Sequence, residues 1–170
     1  GVGEIVGQVL FFAARAKMRG DGAITNVVFM GQGEPLLNFQ AVWQAVETLN
    51  NPQGFNLGAR HLTISTAGVV PVIRELATKD LQVGLAVSLH APTDELRTQL
   101  VPLNRRYPLS SVMAACREYV TLTGRRLTFE YAAIDHLNDS LVQARQLAAL
   151  LKGLLCHVNL IPLNATEGSA

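Results

Sequence analysis

Cysteine is nearly absent: only Cys116 and Cys156 occur in 170 residues, each inside an apolar helix or strand pattern. Two thiols so placed suit a reduced compartment and buried positions, and they exclude a cysteine metal site built from this chain alone. An excess of charge of either sign is lacking too. Fourteen Lys and Arg against thirteen Asp and Glu leave +1. No global field therefore draws in nucleic acid or an anionic membrane, and a polyanion must be gripped locally or by another part of the protein. No apolar run approaches the roughly 20 residues of a membrane span, and Gly1-Val2-Gly3 opens onto a helix-like segment without a basic, cleavable leader. The chain reads as cytoplasmic, with no membrane partner. Low-complexity segments are absent as well.

What is present is apolar and patterned. With 49% apolar and 16% charged residues, the chain can build one core, and residues 1–170 read as a single domain. A helical stripe runs through Ile5, Val6, Val9, Leu10, Ala13 and Ala14, and the β-rich ITNVVFM (24–30) follows. Val42, Ala45, Val46 and Leu49 mark the next helix, HLTIS (61–65) a second strand, and Val72, Ile73, Leu76 and Ala77 a short helix. LQVGLAVSL (81–89) is a third strand. Leu96 and Leu100 mark a short helix, and Val112, Cys116, Tyr119 and Val120 a longer one. RLTFEYAAI (126–134) is a fourth strand. Leu141, Ala144, Ala148 and Leu151 then form a helix, for which Asn138, Asp139 and Ser140 are capping candidates, with Gln143 three residues past Ser140. HVNLIPL (157–163) is a fifth strand. This alternation implies an α/β protein with about five parallel strands and right-handed crossovers, either a barrel or an open sheet. The order, opening on a helix and stopping just past a strand, suggests a section of something larger.

In such an array the strand C-termini share one face, and the loops leaving it carry ligand binding. The exits are Gly31-Gln32-Gly33-Glu34-Pro35, Ser65-Thr66-Ala67-Gly68, Ser88-Leu89-His90-Ala91-Pro92, Asp135-His136-Leu137-Asn138, and Asn164. Each has a plain structural reading. The glycines suit turns, Ser65 and Ser88 can cap, Asn138 to Ser140 suit a cap better than a ligand contact, and a single histidine is more often structural than catalytic. Arg105 and Arg106 read as a solvated pair. Together, however, the polar exits describe a ligand-binding mouth. Without a Walker sequence, HExxH or an aspartate pair at two-metal spacing, that mouth suits a zwitterion with hydroxyls better than a polyphosphate. Glu34, or the peptide groups beside it, could take an ammonium, and Ser65, Ser88 and Asn164 a carboxylate or ribose hydroxyls.

FMGQGEPLLN, LTISTAG, VGLAVSLHAP, LVPLNRRYPL and HVNLIPLN, in this order and spacing, resemble the radical S-adenosylmethionine methyltransferases that modify carbon 2 of adenosine in 23S ribosomal RNA and transfer RNA. Resistance relatives acting at carbon 8 are also similar. The resemblance covers essentially the whole chain and implies a partial (β/α) barrel of the radical SAM type, here without its first strand and cluster loop. It implies S-adenosylmethionine and a 4Fe-4S cluster as cofactors, ribosomal and transfer RNA as substrates, an electron donor, and a methylated-cysteine intermediate. By position it assigns Gly33, Glu34, Ser65, Ser88, Leu89, His90 and Asn164 to the cofactor. The family's C-x-x-x-C-x-x-C loop and its catalytic cysteines have no counterpart here, so the resemblance assigns no catalytic or metal-ligating residue. It implies the central part of such an enzyme, inactive alone. NATEG stands where relatives commonly have Asn-Pro after the last strand. The alternatives are another radical enzyme sharing the barrel and a non-catalytic cofactor-binding or RNA-docking remnant.

Overall fold

The structure is a computed structural model that describes residues 1–163. Its strands are β1 (Val27–Phe29), β2 (Leu62–Thr66), β3 (Gly84–Ser88), β4 (Leu127–Ala133) and β5 (Cys156–Pro162). They follow chain order in one five-stranded sheet, and the β1–β2, β3–β4 and β4–β5 pairs are parallel. The helices are α1 (Val2–Arg19), α2 (Phe39–Asn50), α3 (Val70–Leu76), α4 (Asp94–Leu100), α5 (Leu109–Thr123) and α6 (Leu141–Leu151). The alternation expected from the sequence is thus the one observed. Among the described residues, no helix is long and apolar enough to cross a membrane. The described residues form two compact units, Gly1–Thr66 with Lys79–Leu85, and Ala67–Thr78 with residues 86–163.

In the first unit, the i, i+3, i+4, i+7 stripe of α2 is the face it buries. Val42, Ala45, Val46 and Leu49 join Leu36, Phe39, Leu62 and Ile64 in the core, each large side chain contributing roughly 1.5–3 kcal/mol on burial. The Lys79 ammonium lies 5.5 Å from the Phe39 ring centre and 5.7 Å from that of Trp43, a cation–π contact. α1 forms as expected but buries no residue, and Phe11, Phe12 and Met18 stay exposed. β1 is shorter than the apolar run 24–30. In the parallel register Val27 faces Leu62, so residues 24–26 lie opposite the tight turn Ala59–His61, where no ladder exists to pair with. At the other end, the Met30 N–H turns back to the Val28 carbonyl at 3.0 Å. Gly84 opens β3 for a steric reason: a Cβ there would stand 2.8 Å from Thr63 Oγ1.

In the second unit, Val70, Ile73 and Leu76 of α3, Val112, Cys116 and Tyr119 of α5, and Val87, Leu127 and Phe129 of the strands are buried. Arg74 grips Glu118 through Nε at 2.6 Å and Nη2 at 3.0 Å, linking α3 to α5. The α5 helix ends at Gly124, whose φ of 64° is the left-handed cap that glycine adopts without penalty. At α6 the capping box is formed as the sequence suggests: Ser140 Oγ accepts from Gln143 N–H, and Gln143 Oε1 accepts from Ser140 N–H. Asn138 does not share in it. Its side chain is buried and serves the site described next.

Candidate functional site

In the first unit, β1 ends in a loop whose Gly31 and Gly33 have φ of 123° and 79°, a region that other L-residues rarely adopt. A Cβ at Gly33 would meet no atom within 4 Å. The glycine therefore answers to backbone conformation and leaves its surface open to approach. Glu34 is half-buried and starts the one-turn helix Pro35–Asn38, its Oε1 accepting the Leu36 N–H at 3.0 Å. The carboxylate thus caps an orphan donor in addition to any ligand role. Gly33 and Glu34 line an open pocket of about 350 Å³, where Gln8, Gln32 and Asn38 supply amides and Phe29 an apolar wall. That volume falls within the usual range for small-molecule sites. Ser65 and Thr66, at the end of β2, are buried.

In the second unit, the exit from β3 is held by side chains that the sequence did not single out. Arg97, on α4, is fully buried. Its Nη2 donates to the carbonyls of Ala67 (2.7 Å) and Ser88 (2.9 Å), its Nε to Leu89 (3.2 Å), and its Nη1 to Asn104 Oδ1 (2.8 Å). Asn104 in turn donates to Asp94 Oδ1 and Thr98 Oγ1, both at 2.9 Å, and Asp94 Oδ1 accepts the Leu109 N–H at 2.7 Å. Burial pushes the Arg97 guanidinium below its ordinary pKa, opposed by the charge of Asp94; it remains the cation that arginine always is in proteins. Gly68 sits against this arginine with φ 109°, and a Cβ there would come 3.0 Å from Val112.

His90 is half-buried at φ 59°, a conformation costing an L-residue roughly 1–2 kcal/mol. Its Nδ1 accepts the Ala132 N–H at 3.0 Å. Nδ1 therefore carries no proton, and the neutral ring presents Nε2–H as a donor. Burial first, and the Arg97 charge second, lower its pKa and favour that neutral form. Asn138 donates to the carbonyls of His90 (2.8 Å) and Ala132 (2.7 Å) and accepts from Ile134 N–H (2.6 Å), while Tyr131 Oη–H donates to its carbonyl at 2.7 Å. The fourth exit is thus built around a buried asparagine, with Asp135 and His136 left exposed. The Asn164 exit lies outside the described residues. Arg105 and Arg106 are exposed, as expected of a solvated pair.

The cysteines do not make a metal site. Cys116 is buried on the core face of α5, and burial pushes its thiol up to about 12. Cys156 is partly buried and also raised, again chiefly by burial. Among the described residues, no group of three or more His, Cys, Asp or Glu is placed to hold a metal ion. An iron–sulfur cluster needs thiolates converging on it, and these residues do not fit one.

Comparison with known proteins agrees with the fold and with the motifs. No family model matches the chain. Among curated proteins, it is 55% identical over 143 residues to the "Probable dual-specificity RNA methyltransferase RlmN" of Caldanaerobacter subterraneus subsp. tengcongensis, covering 84% of this chain and 42% of that protein. It is 55% identical over 174 aligned positions to the protein of the same name from Frankia alni, covering 98% and 41%. Among solved structures, a radical SAM methyltransferase from Sphaerobacter thermophilus superposes with a TM-score of 0.95 at 56% identity, covering 99% of this chain and 49% of that one. The fold is accordingly that of the partial radical SAM (β/α) barrel. The chain spans less than half the length of these curated relatives.

Proposed function

Because this chain belongs to the family of radical S-adenosylmethionine RNA methyltransferases, we propose that it is the central, cofactor-binding part of an enzyme that methylates carbon 2 of adenosine in 23S ribosomal RNA and transfer RNA. The observation that carries this reading is the 56% identity and 0.95 TM-score to a solved radical SAM methyltransferase over 99% of the chain. The donor set fits the cofactor. Gly33 and Glu34, beside the open pocket of the first unit, would take its ammonium group. Ser65 in the first unit, and Ser88 and His90 in the second, would take its carboxylate and ribose hydroxyls, with Asn164 as a further contact. Leu89, between Ser88 and His90, is fully buried, its N–H bonded to Glu130 and its carbonyl to Arg97, and serves by holding the segment in place.

When bound, S-adenosylmethionine supplies the methyl group and the radical chemistry. This chain's residues bind, orient and exclude water. Gly33 allows close approach of backbone, and the His90 ring offers one N–H in a fixed tautomer. The cluster would be held by cysteines outside this chain, since Cys116 and Cys156 do not fit it; no step of the reaction is assigned to either. A methylated-cysteine intermediate, an external electron donor and a cytoplasmic setting complete the proposal.

The test is anaerobic reconstitution of the full-length protein with iron and sulfide, followed by analysis of ribosomal and transfer RNA. A methyl group on carbon 2 of adenosine is expected. A methyl on carbon 8 would move the protein to the resistance relatives. Cofactor cleavage without RNA methylation would indicate another radical enzyme on the same barrel, and binding without cleavage a non-catalytic relative.

A further inference from the structure

Three consecutive carbonyls at the exit of β3 are all met by buried side-chain donors. Arg97 takes those of Ser88 and Leu89, at 2.9 and 3.2 Å, and Asn138 takes that of His90, at 2.8 Å. Successive carbonyls of an extended strand point to opposite sides. Here the positive φ of His90 turns the chain so that two donors, from α4 and from the loop after β4, hold all three. The Leu89 N–H is bonded to the Glu130 carbonyl at 2.9 Å, and His90 Nδ1 to the Ala132 N–H. Neither donor is open to a ligand. Arg97 has no exposed surface and is otherwise committed to Ala67 and Asn104; Asn138 is 2% exposed and committed to Ala132 and Ile134.

We propose that Arg97 and Asn138 are positioning residues for S-adenosylmethionine: a two-sided clamp that fixes the peptide planes of Ser88-Leu89-His90 and so aims the Ser88 hydroxyl and the His90 Nε2–H at the cofactor. The proposal rests on the functional reading above. The clamp works because a planar guanidinium fork bonds two adjacent carbonyls in one geometry, whereas an ammonium acts as a point charge. Its worth lies in preorganisation: a segment already fixed loses no freedom when the ligand arrives.

The experiment measures S-adenosylmethionine affinity of the reconstituted full-length protein by calorimetry, with thermal unfolding and methyl-transfer kinetics alongside, for wild type, Arg97→Lys and Asn138→Ala. Two variants at separate contacts keep the test open if one folds poorly. The expected result is a Kd at least about tenfold higher, equivalent to about 1.4 kcal/mol, in each folded variant. At saturating cofactor, kcat should fall less than threefold, so the loss sits in KM. A purely structural role would lower the unfolding temperature and leave the Kd of the folded protein unchanged. Wild-type binding with a folded variant within twofold of it overturns the clamp. A wild type that binds no S-adenosylmethionine overturns the functional reading, and the clamp's purpose with it; the two failures differ in whether wild type binds.

Discussion

Alkylation of Cys116 gives a sharp test of the claim that this chain's thiols are structural. Cys116 has no exposed surface and its thiol is pushed up to about 12 by burial. At pH 8 a group with that pKa is ionised in about one molecule in 10⁴, whereas an ordinary cysteine near 8.5 is about one-quarter ionised. The thiolate is the nucleophile, so the reactivity deficit is more than about 10³-fold before any steric shielding is counted. Native full-length protein treated with iodoacetamide and mapped by peptide mass should carry label at the partly buried Cys156 long before Cys116. Denaturant should abolish the difference. Cys116→Ala should lower stability by about 1 kcal/mol through lost packing and leave iron content after reconstitution unchanged. Labelling of native Cys116 at a rate within tenfold of Cys156, or loss of iron in Cys116→Ala, would refute the assignment.

Three other outcomes follow from the same geometry. Asp94→Ala removes the acceptor of the Leu109 N–H and of Asn104 Nδ2 and should destabilise the protein by about 2 kcal/mol in chemical denaturation, since part-buried donors lose their partner; a change under about 0.5 kcal/mol would contradict it. His90 is held neutral in the folded state, so its pKa lies below the usual 6.5. The unfolded chain then takes up a proton that the folded ring refuses, and the stabilising contribution is complete above pH 6.5 and declines as pH falls below it. An NMR titration of the His90 ring should give a midpoint below 6.5; one at or above 6.5 would count against the burial argument. Gly33→Val places a β-branched residue at φ 79° and should weaken S-adenosylmethionine binding of the full-length protein at least tenfold, about 1.4 kcal/mol. His61→Ala, at an exposed ring bonded to Asn26, should leave it within twofold; equal effects would sink the assignment of the first exit.

The elements were legible where their pattern is local. The stripe of Val42, Ala45, Val46 and Leu49 maps onto the buried face of α2, and Ser140 with Gln143 forms the capping box of α6, because both signals lie within two helical turns. The strand exits were legible for a similar reason, since Gly33 and Gly68 mark positive φ where strands end. Arg97 was not. Between Leu96 and Thr98 it reads as the polar side of a short amphipathic helix, and its partner Ala67 is 30 positions away. Asn138 read as a helix cap because Asn commonly precedes helices, but its donor goes to His90, 48 positions back. Glu34 read as a carboxylate in want of a ligand; in the fold it caps the turn Pro35–Asn38. The Glu34 cap is local, two residues from Leu36, but the Arg97–Ala67 and Asn138–His90 bonds are set by the tertiary fold, and no short window of sequence contains both partners.

The central claim, that the exits of these strands hold S-adenosylmethionine, is tested most directly by a crystal structure of the full-length, reconstituted protein with the cofactor bound. The account is upheld if the ammonium group lies within hydrogen-bonding distance of the Gly33-Glu34 segment and the Ser88 hydroxyl or His90 Nε2 contacts the carboxylate or ribose. A cofactor bound with none of Gly33, Glu34, Ser65, Ser88 or His90 in contact would contradict it.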